Sequence, residues 1–184
     1  VNAKLAGKNL TVIQKEREKL LPLSRGIVID CSKAIRVAHV YDEKASKAMR
    51  DKIRKDVKAL QAAVKASGLK SLLTTAEQEW VELEVLMAFT NGEELPEVDC
   101  SPETYLLGVM DGIGECKRAV LDMLAQHKIK EADEALHWLE GAYYEIHGMA
   151  FPSSLVPGLK AKQDSVKRSL DSLHAAVREA QSRE

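Results

Sequence analysis

Apolar side chains recur along this chain at intervals of three and four residues, the spacing of helices buried along one side. From about Thr11 to Val40 the stripe reads Ile13, Leu20, Leu23, Ile27, Cys31, Ile35 and Ala38. Pro22 falls inside it and removes one backbone donor, so a kink or break near residues 18–22 is expected. A second helix, about Glu43 to Ala66, carries Met49, Ile53, Val57, Leu60 and Val64 and stops at Gly68. A third is predicted from a cap at Thr74 or Thr75, with Glu77 or Gln78 three residues on, to about Thr90, where Asn91-Gly92 ends it. The stretch Asn91 to Pro102 reads as the one true loop, and Ser101-Pro102 as the cap and first position of a fourth helix reaching about Gln126. A fifth spans about Lys130 to His147, before Gly148 and a turn at 151–154. A sixth runs from Val156 or Pro157 to Arg183, with Leu159, Val166, Leu170, Leu173 and Val177 near a 3.5-residue repeat that suits either bundle packing or an oligomer seam. No strand pattern competes and no fixed-period repeat occurs. The expectation is a single all-α domain over residues 1–184, a bundle of six to seven helices.

Composition agrees: the chain is 45% hydrophobic and 30% charged with only 4% aromatic residues, a helix-favouring balance. Its apolar runs reach about five residues, far short of the roughly 20 needed for a membrane span. Cys31, Cys100 and Cys116 show no metal-ligand or paired spacing and read as free thiols of a reducing compartment, so a cytoplasmic location is expected.

The net charge of −1 argues at first against a nucleic-acid partner, but it conceals segregation. Residues 1–70 hold 17 basic and 7 acidic side chains, residues 71–115 hold none and 11, and the remainder holds 10 of each. In the acidic block, Glu79 and Glu82 lie three apart on the third helix, and Asp111 and Glu115 four apart on the fourth. An antiparallel hairpin can set these pairs opposite one another. Four converging carboxylates with no Lys or Arg in 71–115 raise one another's pKa, and a divalent cation is the simplest neutraliser. Oxygen ligands select Mg²⁺, with Mn²⁺ also suitable, over zinc. A solvated acidic helix face is the plain alternative. Against it stand the apolar neighbours of Glu82 and Asp111 and the three glycines Gly108, Gly112 and Gly114, which signal a close neighbour or ligand. Glu77, Glu84, Glu93 and Glu94 read as surface. A di-iron bundle, redox or storage, would use Glu-x-x-His pairs, and the hairpin has no histidine.

Arg25 and Arg36 fall near one line of the first helix with Lys33 adjacent, and Lys44, Lys47, Arg50, Arg54 and Lys58 form a row on the second. Such rows either track phosphates or simply solvate a helix. The five histidines show no ligand spacing, and Trp138, Tyr143 and Tyr144 read as core or subunit contact.

The segment PETYLLGVMDGIGECKR at 102–118 resembles a signature of the translin superfamily, in the branch of Trax, the translin-associated factor X. Leu23-Ser24-Arg25 followed by Lys33, and Gln78-Glu79-Trp80-Val81-Glu82, are similar to further segments of that family, and the likeness extends over about residues 15–178. Thr104 stands where the signature has Asp, Trp80 where it has Tyr, and the 91–102 loop is short, as in a compact archaeal form. The resemblance implies an all-helical subunit of a hollow, octamer-like barrel that binds RNA inside, here a homo-octamer, with Trax-type subunits supplying Mg²⁺-dependent endoribonuclease activity. It carries over Glu79, Glu82 and Asp111, with Glu115 a further candidate, as metal-binding and catalytic residues. Translin does not keep this full set of acids, so the resemblance favours the catalytic branch. Together with the basic rows this gives the expected function: cleavage of single-stranded RNA at the carboxylate-bound metal, with Arg25, Lys33 and Arg36 on the backbone. The rival is a non-catalytic nucleic-acid-binding scaffold.

Overall fold

The computed structural model describes residues 2–39 and 43–183, the side chains of Glu43 and Lys44 excepted. Among the described residues there are six helices and no strand: α1 (Ala3–His39), α2 (Glu43–Ser67), α3 (Ser71–Asn91), α4 (Pro102–Ala125), α5 (Ile129–His147) and α6 (Leu159–Gln181). The chain's contacts divide it inside α3 into two compact units, Val1–Trp80 and Val81–Glu184.

In the first unit α1 packs along α2 through Ile27, Cys31, Ala34, Ile35 and Ala38 on one side and Ile53, Val57, Leu60 and Val64 on the other. The start of α1 departs from the expected Thr11. Asn2 caps it, its side-chain oxygen accepting from the Leu5 N–H at 3.0 Å, so the helix begins about two turns early. This added length, about 55 Å of helix against about 37 Å for α2, leaves Leu10, Val12 and Ile13 exposed. Ile13 thus lies outside the core that its spacing suggested. Of the kink or break expected near residues 18–22, the break is absent: α1 runs through Pro22, because losing one rung leaves the flanking hydrogen bonds in place. The expected end at Val40 lies outside the described residues. Gly68, with φ of +74°, ends α2, and its N–H donates to Val64 O at 2.8 Å. α3 starts at Ser71 rather than at a Thr74 or Thr75 cap; Thr74 is inside the helix, its hydroxyl donating to the Lys70 carbonyl. Ser24 of α1 donates to Leu72 O at 2.6 Å, fastening α3 to α1 within this unit.

In the second unit α4, α5 and α6 pack against one another, and every residue of α3 from Val81 to Phe89 is buried except Glu82. The expected α6 stripe is the one buried: Leu159, Val166, Leu170, Leu173 and Val177. Buried Gln163 donates to the carbonyls of Ile146 and Met149, satisfying groups at the end of α5. Ser101 caps α4 as expected, accepting from the Thr104 N–H at 3.3 Å and donating to the Thr104 hydroxyl at 2.8 Å. The 91–102 loop is held by Tyr105, which donates to Pro96 O, and by Trp138, which donates to Glu93 O at 2.7 Å.

Candidate functional site

Gly112 sets the spacing of the site. A Cβ added there would stand 2.6 Å from Val85 Cβ, 2.7 Å from Val85 Cγ1 and 3.2 Å from Glu82 O. Only a glycine lets α4 come this close to α3, and the approach brings the Glu82 turn against the Asp111 turn. Gly114, by contrast, is exposed, with nothing within 4 Å of such a Cβ.

Beside that contact lies a pocket of about 330 Å³, wholly within the second unit. Glu82 of α3 and Asp111, Gly114 and Glu115 of α4 line it together with Met110, and α6 closes it with Lys162, Ser165, Val166 and Ser169. Three of the four expected acids therefore share one pocket. Glu79, one turn earlier on α3 and half-buried, belongs to the first unit and is not part of the lining. The Lys162 ammonium is ion-paired with Asp111, the two side chains 31% and 26% exposed. Burial holds the Cys116 thiol well above its usual range, and the carboxylates of Glu115 and then Glu82 push it further in the same direction.

The expected lack of a neutralising cation holds only within 71–115. Lys162, 51 residues beyond Asp111, supplies the charge from α6. Nothing in the acidic block announces it; the only signal is that Lys162, Ser165 and Ser169 share one face of α6 at intervals of three and four. Glu77 and Glu84 correct a second expectation. They are 4% and 5% exposed rather than on the surface. Both turns of α3 are enclosed, and Glu77 accepts from Gln61 Nε2 at 2.7 Å within the first unit.

As ligands the pocket's three carboxylates suit a hard divalent ion: all donors are oxygen, and they converge from two helices. Among the described residues no three His, Cys, Asp or Glu side chains are gathered into a ready-made metal cage. The donor chemistry therefore fits, and the acids would have to draw in around an ion, with Lys162 giving way.

Of the basic residues, Arg25, Lys33 and Arg36 are all exposed on α1. Lys33 already lies 3.5 Å from Asp30, which also accepts from Lys52 at 2.6 Å, so part of its charge is spent inside the protein. Lys47, Arg54 and Lys58 of α2 are exposed and Arg50 is half-buried; the Lys44 side chain lies outside the described residues. Arg54 stacks over buried Trp80, its guanidinium carbon 5.8 Å from the ring centre.

No family model matches the chain. It is 30% identical over 166 residues to the uncharacterised protein MJ0175 of Methanocaldococcus jannaschii, an alignment covering 88% of this chain and 74% of that one. The chain belongs to the same family as MJ0175. Solved structures share the fold of this chain. The crystal structure of AfC3PO matches at a TM-score of 0.89 with 23% identity, over 98% of this chain and 97% of that one. AfC3PO in complex with duplex RNA matches at 0.88, also with 23% identity and the same coverage. Apo-NeC3PO matches at 0.86 with 18% identity over 97% of each chain. The fold of this chain is thus the translin-like all-α fold that the 102–118 motif implied.

Proposed function

We propose that this protein is an RNA-binding subunit of a self-associating, translin-type assembly, and that its carboxylate pocket carries out Mg²⁺-dependent endonucleolytic cleavage of single-stranded RNA. The observation that carries the reading is the convergence of Glu82, Asp111 and Glu115 on one pocket in a chain with the C3PO fold. That a structure of the same fold is a complex with duplex RNA supports an RNA partner. In the proposal Glu82, Asp111 and Glu115 would hold the ion, Glu79 keeps the metal-binding role that the resemblance implies, and Mn²⁺ would substitute. The chemistry that a bound Mg²⁺ supplies at such a site is an activated water and neutralisation of phosphate charge. Arg25, Lys33 and Arg36 would grip the phosphate backbone, with the two arginines contributing most because Lys33 shares its charge with Asp30. A homo-octamer is the proposed assembly and the cytoplasm the proposed location; among the described residues no helix is long and apolar enough to cross a membrane.

One observation favours a second reading, a non-catalytic RNA-binding scaffold: the Lys162–Asp111 pair neutralises an acid of the pocket without a metal. Incubating a short labelled RNA with Mg²⁺, with and without EDTA, separates the two. Cleavage that EDTA abolishes is expected; salt-sensitive binding without turnover would select the scaffold.

A further inference from the structure

The pocket has two unlike walls. α3 and α4 supply Glu82, Asp111 and Glu115, which when ionised only accept hydrogen bonds, and α6 supplies the Lys162 ammonium and the hydroxyls of Ser165 and Ser169. Lys162 sits in the first turn of α6, and its ammonium is already engaged by Asp111. A divalent cation binding to Asp111 competes for the Oδ1 that the ammonium now engages, and two cations on one carboxylate repel each other. Lysine is a compact charge on a flexible four-carbon stem, so the ammonium can leave Asp111 without any movement of α6.

From this juxtaposition we infer that Lys162 is a resident counter-ion which the divalent cation must displace, and that the released ammonium is then taken up by a phosphodiester in the same pocket. The inference rests on the metal-dependent reading above. It makes cation and nucleic acid bind cooperatively: the protein alone holds the cation weakly, and a strand that accepts the lysine strengthens the cation's hold, with the reciprocal effect on the strand. Ser165 and Ser169, on the same face of α6, offer hydroxyl donors to the same phosphate. Asp111 would then remain paired in the absence of substrate, and the cation would be engaged mainly when there is a phosphate to act on.

The test is calorimetric titration of Mn²⁺ into the full-length wild type and the Lys162→Met and Lys162→Arg variants, with circular dichroism reporting the fold. Lys162→Met is expected to bind Mn²⁺ about fivefold more tightly than wild type, the order of one ion pair, and Lys162→Arg to stay within about twofold of wild type. A short single-stranded DNA oligonucleotide, which lacks the 2′-hydroxyl, is expected to tighten Mn²⁺ binding in wild type but not in Lys162→Met. If the Met variant does not fold, Lys162→Gln makes the same comparison. Equal or weaker Mn²⁺ binding by a folded variant overturns the inference and leaves the pocket a metal site, and tighter binding without coupling to the oligonucleotide overturns its phosphate half. Absence of Mn²⁺ binding in all three proteins overturns the metal-dependent reading and the inference with it.

Discussion

Replacing Gly112 by Ala adds one methyl group where α4 meets α3, and the structure fixes what that methyl meets. Comfortable carbon–carbon contact is about 3.5–4.0 Å, whereas the new Cβ would stand 2.6 Å from Val85 Cβ and 2.7 Å from Val85 Cγ1. The helices must separate locally by about 1 Å. The nearer atom is Val85 Cβ, which a change of rotamer does not move, and the Glu82 carbonyl at 3.2 Å is backbone. Overpacking of this kind costs about 1–3 kcal/mol, and atoms fixed to the backbone place it at the upper end. Against it stands the gain of about 1 kcal/mol from replacing a glycine inside a helix, leaving a net loss of about 2 kcal/mol. In a chain of this length that lowers the unfolding midpoint by about 4–8 °C. Gly114→Ala is the internal control: with open space around it, it keeps only the helix gain and raises the midpoint by about 2–4 °C. Thermal unfolding at matched protein concentration measures both, since the proposed self-association would make the midpoint concentration-dependent. Val85→Ala should not rescue Gly112→Ala, because it removes Cγ1 and leaves Cβ in place. A Gly112→Ala protein as stable as wild type would refute the close approach, and with it the reason for the Glu82 turn facing the Asp111 turn.

The remaining predictions concern charge, the loop and RNA. The Lys52 ammonium, hydrogen-bonded to Asp30, holds the Asp30 carboxyl below the usual carboxylate range, so this pair stabilises the fold above about pH 4 and its contribution fades as pH falls through the lowered value. Urea unfolding should therefore show wild type more stable than Lys52→Met by less than about 1 kcal/mol at pH 6, the pair being largely exposed, with the gap closing toward pH 3; a gap that widens in acid contradicts the assignment. Trp138→Phe keeps the edge-on contact with Phe89, whose ring centre lies 5.3 Å away, but loses the hydrogen bond to Glu93 O. It should cost about 1 kcal/mol and speed amide exchange in the 91–102 loop, whereas unchanged exchange would mean the bond does not hold the loop. Joint Arg25→Ala and Arg36→Ala substitution should weaken RNA binding and flatten its dependence on salt by up to two charges' worth. Lys33→Ala should do less, and the reverse order would displace the arginines from the proposed grip.

Features carried by neighbouring residues were legible in the sequence. The α6 stripe, the Ser101 cap and the stops at Gly68 and Gly92 each depend on residues within a turn or two. Where the structure departs from the sequence pattern, distant parts of the chain decide the outcome. Asn2 starts α1 well before any apolar stripe, and α1 outruns its partner, so Ile13 has spacing but nothing to pack on. Glu77 and Glu84 look like surface residues by type, yet α3 is enclosed on nearly all sides in its second unit, and Gln61, 16 residues away, satisfies Glu77. Of the glycines that suggest close approach, Gly112 makes it and Gly114 does not, a distinction set by the facing helix rather than by neighbouring residues. Lys162 was invisible for the same reason, since no local pattern tells which helix will turn its lysine toward an acidic pair 51 residues earlier.

The most direct test of the central claim is the rate at which a short single-stranded RNA is cut in Mg²⁺ by wild type and by Glu82→Ala and Asp111→Ala proteins shown by circular dichroism to be folded. Carboxylates acting as one metal-holding unit are expected to fail together, each variant losing at least about a hundredfold in rate, a deficit of about 2.7 kcal/mol in the barrier, while RNA binding in EDTA stays close to wild type. Cleavage by either variant at the wild-type rate would contradict the account.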